Sequence, residues 1–280
     1  MAKREIPLVV LSDLHLGTFG CRARELNQYL KSIKPEKLVL NGDIIDIWQF
    51  RKSYFPKSHL KVIKQIFAMA SKGTEVYYLT GNHDEALRRF SDFKMGNIQL
   101  LDKLILNLPE GKAWIFHGDI FDASIQSAKW LAKLGGWGYD LLIMINSVSN
   151  WLLEKLGKER YSFSKKIKNS VKKAVSYIDD FENTAAELAI DQNYRYVICG
   201  HIHQAQMREV QSDRGSCTYL NSGDWIENLT ALEFDGKDWS LYQYELEEQS
   251  EPEQEESILN DLSIERIIQK VTVDDPGIAI

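Results

Sequence analysis

Cysteine is scarce in this chain: Cys21, Cys199 and Cys217 are the only three among 280 residues. Three widely spaced thiols build no disulfide framework, so they read as reduced thiols of a cytoplasmic protein. Long apolar runs are missing as well. Nothing approaches the roughly 18 uninterrupted apolar residues that a membrane-crossing helix needs. A secretory leader is not expected, because Met1-Ala2-Lys3-Arg4-Glu5 runs directly into the first buried-strand pattern. Positive charge is in deficit too. The formal net charge of −6 argues against a nucleic-acid binder with a broad basic surface, so no nucleic-acid partner is expected. Part of that acidity is local: residues 245–256 carry seven glutamates and no base, which leaves the rest of the chain nearer neutral.

What is present fits a globular α/β protein with one large core, or a core plus a small subdomain. From 1 to about 120, short apolar runs alternate with helix-like segments. Residues 22–34 place Ala23, Leu26, Leu30 and Ile33 at helical spacing, with Pro35 expected to end the helix. Residues 58–72 repeat the pattern with Leu60, Ile63, Phe67 and Ala70 up to Gly73. From 196 to 245 the pattern becomes strand after strand, fitting a sheet continued antiparallel or a second sheet packed on the first. Between them, 121–190 is long, helical in pattern and free of strand signals. It holds an apolar and aromatic part (Trp130 to Leu156) and then a lysine-rich part, and reads as a cap inserted into a domain spanning 1–245. Residues 246–280 read as an acidic linker and a short terminal segment.

The chemistry collects where apolar runs stop. Asp13-Leu14-His15 follows Leu8–Leu11, and Gly42-Asp43-Ile44-Ile45-Asp46 follows Leu38–Leu40. Gly81-Asn82-His83-Asp84 follows Val76–Leu79, His117-Gly118-Asp119 follows Trp114–Phe116, and Gly200-His201-Ile202-His203 follows Tyr196–Cys199. At an extended strand end, residues i and i+2 share a face, so Asp13 with His15, and His201 with His203, are expected to reach one ion. Ligands of open α/β sheets bind beyond the carboxyl ends of the strands. The donors mix imidazole nitrogen with carboxylate and amide oxygen and include no thiolate. That set favours Mn²⁺ or Fe²⁺, with Zn²⁺ as an alternative, over a structural zinc. Two ions roughly 3.5–4 Å apart support both the attacking and the leaving oxygen of an in-line phosphoryl displacement. His83 then reads as a charged donor at the phosphate, with Asp84 orienting its ring. Asp46 stands between a supporting role behind the ligands and a helix cap. His59 reads as a surface residue, and Cys199 as a small packed hydrophobe. Asn221-Ser222-Gly223-Asp224-Trp225 follows another strand and receives no defined role.

These five ordered motifs resemble those of the calcineurin-like metallophosphoesterases: D-x-H, G-D-x-x-D, G-N-H-D/E, a lone H, and G-H-x-H. The resemblance covers roughly 1–245. It implies a two-sheet β-sandwich flanked by helices and a pair of divalent metal ions. One would take Asp13, His15, Asp43 and His203, the other Asp43, Asn82, His117 and His201, so that Asp43 bridges.

Within the family, the core length, the segment Gly42 to Trp48 and the helical insertion after Asp119 are similar to the bacterial UDP-2,3-diacylglucosamine pyrophosphatases. That similarity implies a nucleotide-linked glycolipid substrate, a place in lipid A biosynthesis and a peripheral association with the inner leaflet of a membrane. Trp130–Leu156 would offer the apolar surface. Asp122, Lys165, Lys168 and Lys172 would meet the substrate and its phosphates, or else cap and solvate the helices that carry them. One departure stands out: better-known members of that subgroup read Gly-Asn-Arg-Asp where this chain has Gly81-Asn82-His83-Asp84. The histidine is the general family pattern, which leaves two other readings open: a soluble phosphodiesterase or phosphatase, and a non-catalytic scaffold of the same fold.

Overall fold

Apolar side chains on both faces of the first strands require covering layers on both sides. In β1 (Arg4–Leu11), Val9 and Leu11 face one buried cluster and Leu8 and Val10 another. The computed structural model describes residues 3–47, 54–124 and 164–246. The chain divides into two compact units, Met1–Gly118 with Ala189–Ile280, and Asp119–Leu188.

The first unit is a two-sheet sandwich. After β1 come α1 (Ala23–Ser32), β2 (Ile33–Asn41), α2 (Lys57–Ser71) and β3 (Glu75–Leu79). Short strands β4 (Lys94–Met95), β5 (Ile98–Leu101) and β6 (Lys103–Leu108) lead to β7 (Gly111–Phe116). After the insertion follow β8 (Tyr196–Cys199), β9 (Gln206–Ser212), β10 (Gly215–Asn221), β11 (Thr230–Phe234) and β12 (Trp239–Gln243). One sheet runs β12-β11-β1-β2-β3-β5-β4 and the other β6-β7-β8-β10-β9. Leu8, Val10, Val39, Leu79, Ile115, Ile198 and Leu220 fill the space between them. Leu26, Leu30, Val62, Ile66 and Met69, from α1 and α2, cover the outer face of the first sheet. Both expectations for 196–245 are met: β8, β9 and β10 belong to the second sheet, while β11 and β12 return antiparallel to the first.

β1, β2 and β3 run parallel, as do β7, β8 and β10. Their carboxyl ends therefore gather the loops that carry the motifs.

Several local expectations are corrected. Pro35 does not end a helix; α1 stops at Ser32, and Pro35 lies inside β2, opposite Ile6. Pairing of β2 with β3 begins only at Lys37, so the missing N–H of Pro35 costs no ladder bond on that side. The buried face of α2 is turned relative to the expected one. Leu60 and Phe67 are exposed, while His59, Val62, Ile66, Met69 and Ala70 face inward. His59 is therefore not a surface residue: it is 2% exposed, and its Nδ1 accepts the Gly17 N–H at 2.9 Å. A satisfied imidazole can occupy a core position that apolar counting assigns elsewhere. Cys199 is fully buried. Residues 94–108 form three strands that the alternation of apolar runs does not announce.

In the second unit a 3₁₀ turn spans Asp119–Ser124, and most of α3 (Ser164–Asp191) follows. The rings of Phe121 and Phe181 meet edge to face at 5.3 Å. Asp122 lies on that turn, and Lys165, Lys168 and Lys172 on α3. Their side chains fall outside the described residues, as do Trp130–Leu156 and everything beyond 246. No helix among the described residues is long and apolar enough to cross a membrane.

Candidate metal centre

Seven side chains expected as ligands leave the carboxyl ends of five strands, and the backbone that aims them is not extended. Asp13, His15, Asp43, His201 and His203 all lie at positive φ, between 49° and 69°. The i, i+2 geometry of a strand end therefore does not bring them together. Tight left-handed turns do, at a cost on the order of 1–3 kcal/mol for each non-glycine residue. The loops lace together to hold that strain. The N–H groups of Asp13, His15 and Leu16 donate to the carbonyls of Gly42, Asp43 and Ile44, and the Asp46 N–H returns to Leu16. Carboxylates finish the frame: Asp43 Oδ1 accepts the His83 N–H at 2.8 Å, and Asp13 Oδ2 accepts the His201 N–H at 3.0 Å.

Two glycines are dictated by close approach. Gly42, at φ +81°, faces the His117 ring, so an added Cβ would collide with the imidazole. A Cβ on Gly81 would fall 2.6 Å from the Asp43 nitrogen and 2.8 Å from His117 Cδ2. Glycine here is what lets the loops after β2, β3 and β7 share one small volume.

The donors form three clusters: Asp13, His15 and His203; Asp43, His117 and His201; and His15, Asp43 and His83. His203 Nε2 is 3.1 Å from Asp13 Oδ1 and 3.3 Å from His15 Nε2. His117 Nε2 is 3.2 Å from Asp43 Oδ2. At 2.9 Å the His117 Nδ1 faces the Asn41 carbonyl, which only accepts, so Nδ1 carries the proton and Nε2 keeps its lone pair for a cation. Asn82 Oδ1 is buried with no hydrogen-bond partner among the described residues, an arrangement that a cation would relieve. The residues fit a metal pair.

The charges agree. Burial alone would raise the Asp13 pKa, but His203 overcomes it and holds the carboxyl near 2. Burial is likewise outweighed at Asp43, where His117, His15 and His83 keep the group well below the usual carboxylate range. His203 is driven the other way. Against its own desolvation, Asp13, Asp224 and Asp43 push it up to about 9.

The partner of His83 is not the expected one. Asp46 Oδ2 lies 3.0 Å from His83 Nδ1 and 3.4 Å from His15 Nδ1. Despite its burial, His83 is shifted upward by Asp46 and Asp43. Asp84 is fully buried and occupied elsewhere. It accepts the N–H groups of Gly81 (2.6 Å) and Ile44 (3.0 Å) and the Tyr78 hydroxyl (2.6 Å). It staples two ligand loops together and does not orient the His83 ring. The Gly-Asp-x-x-Asp spacing held the signal for Asp46. The strand-end position of Asn221–Trp225 pointed toward the site, but nothing in the spacing gave a role to the Asp224 side chain, whose Oδ2 lies 3.8 Å from His203 Nδ1.

A family model for calcineurin-like phosphoesterases matches residues 6–205. The chain belongs to that family. This phosphoesterase is 25% identical over 247 residues to a UDP-2,3-diacylglucosamine hydrolase of Aliivibrio fischeri, covering 85% of this chain and 98% of the relative. It is 23% identical to one of Marinobacter nauticus over 80% of this chain and 91% of that protein. Among solved structures, an archaeal phosphodiesterase aligns over 84% of this chain and 98% of its own, at 14% identity and a TM-score of 0.40. The protein is a hydrolase of phosphoric esters, and its His and Asp clusters offer ligands for the divalent ions such enzymes use.

Proposed function

We propose that the protein hydrolyses the pyrophosphate of UDP-2,3-diacylglucosamine, giving UMP and 2,3-diacylglucosamine 1-phosphate in lipid A biosynthesis. The observation that carries this reading is the extent of the likeness. The alignment with the Aliivibrio fischeri hydrolase takes in 98% of that protein, so insertion and core are matched together. Asp13, His15, Asp43 and His203 would hold one ion, and Asp43, Asn82, His117 and His201 the other, with Mn²⁺ the best-suited metal. Ions bound there would supply Lewis-acid charge for an in-line displacement at phosphorus. His83 donates to the phosphate or the departing oxygen, and Asp46 keeps its Nδ1 edge engaged so that Nε2 is presented. Asp122, Lys165, Lys168 and Lys172 are proposed to meet the substrate. Trp130–Leu156 is proposed to meet acyl chains at the inner leaflet, with the protein otherwise cytoplasmic.

The test is UMP release from the acylated substrate by purified protein with Mn²⁺. UMP formation that stops with a chelator and returns with Mn²⁺ supports the reading. No UMP, alongside rapid turnover of simple phosphodiesters, favours the second reading, a phosphodiesterase on smaller nucleotide substrates. His83 in place of the subgroup's arginine is what favours that alternative. A non-catalytic scaffold is disfavoured, because the ligand set is complete.

A further inference from the structure

His203, like His201, is only partly buried, unlike the ligands from the other strands. Its side chain is 38% exposed, against 5% or less for Asp13, His15, Asp43 and His117. It also sits at φ 55°, in the left-handed region. The packing that encloses the His15 and His117 rings is missing on one side of this one, which leaves a larger share of its orientation to polar contacts.

The loop between β10 and β11 supplies it. Asp224 is 1% exposed. Its Oδ1 accepts the N–H groups of Ile226 (2.7 Å), Glu227 (2.6 Å) and Asn228 (3.3 Å), closing a turn. Its Oδ2 accepts from Asn228 Nδ2 at 2.5 Å and lies 3.8 Å from His203 Nδ1. Asn228 Nδ2 also donates to the His203 carbonyl at 2.7 Å. Beyond their own turn, the polar contacts of the Asp224 and Asn228 side chains among the described residues go to His203. The same loop is tied to the strand that bears Asp13: Trp225 N–H donates to the Asp13 carbonyl at 3.2 Å, and Ser12 Oγ bonds the Ser222 hydroxyl (2.6 Å) and the Gly223 carbonyl (2.9 Å).

We infer that Asp224 and Asn228 are positioning residues for one metal position, that of Asp13, His15 and His203, and not for the other. Asp224 meets the ring edge opposite Nε2, and Asn228 holds the strained backbone. Together they fix a ligand that β8 delivers from one sheet against ligands that β1 delivers from the other. Outer contacts of this kind change metal affinity or activity by about 10–100-fold when removed. The inference rests on the ligand set proposed above.

The experiment is a Mn²⁺ titration of metal-stripped protein by calorimetry, with the sites assigned by anomalous scattering. Asp224→Asn keeps an oxygen for the three turn N–H groups and puts an amide where Oδ2 faced Asn228 and His203. Asn228→Ala removes the hold on the His203 carbonyl and leaves the Asp224 turn, which keeps the test available if Asp224→Asn does not fold. The expected result is wild-type protein with two sites, and variants that stay folded without metal, at a melting temperature lowered by the loss of one or two hydrogen bonds. The Asp13/His15/His203 position is weakened about 10–100-fold and the Asp43/His117/His201 position keeps its affinity. Excess Mn²⁺ should then restore kcat with little change in KM. Variants that keep both affinities, or lose both equally, overturn the inference alone. Wild-type protein that binds fewer than two ions overturns the ligand set and the inference with it.

Discussion

Asp46 Oδ2 lies 3.0 Å from His83 Nδ1, and the same oxygen lies 3.4 Å from His15 Nδ1. One buried carboxylate thus stands behind both an expected metal ligand and the histidine expected to act on the phosphate.

His83→Ala should lower kcat by about 10²–10⁴-fold, the usual worth of a positioned proton donor, while both ions stay bound. Asp46→Asn should lower kcat in the same direction by a smaller factor, since the ring remains but loses its fixed edge. Steady-state kinetics beside metal analysis checks both. A metal position emptied by His83→Ala would make His83 a ligand and sink the assignment.

Asp84 is expected to act on stability. Asp84→Ala leaves two buried N–H groups and the Tyr78 hydroxyl without their acceptor, costing at least about 3 kcal/mol at about 1–3 kcal/mol per stranded group. Tyr78→Phe removes one of those bonds and should cost about 1 kcal/mol. Urea unfolding of the two variants measures the difference. Equal effects would contradict the staple.

Gly81→Ala places a methyl group against the Asp43 nitrogen and the His117 ring. A strain of about 1–3 kcal/mol is expected, with a loss of bound metal that excess Mn²⁺ does not fully reverse. Near-normal metal content in a folded Gly81→Ala protein would refute the close approach.

Burial pushes the Cys217 thiol up to about 11, and Cys21 and Cys199 are buried as well. The thiolate is the reactive form, so a group with so high a pKa is almost wholly protonated at pH 7–8. Native protein should resist alkylation there, with Cys217 labelling faster as the pH rises toward 11, whereas unfolded protein should react at all three cysteines. Mass spectrometry after timed iodoacetamide treatment reads the count.

The sequence alone determined the family and the ligand types. Five motifs in order, each behind an apolar run, are legible because parallel strands buried on both faces write themselves as continuous hydrophobic stretches, and the chemistry begins where they stop. Helix faces were less legible. Two apolar stripes compete on α2, and only packing against the sheet turned Val62, Ile66 and Met69 inward and left Leu60 and Phe67 outside. Tertiary structure alone decided which groups support the ligands. Asp46 stands behind His83, Asp84 staples the loops, His59 holds Gly17, and Asp224 reaches His203 across 21 residues of chain. These partners meet because two sheets close on each other and left-handed turns aim their ends. Distances through space set such contacts, and a linear order of residues does not record them.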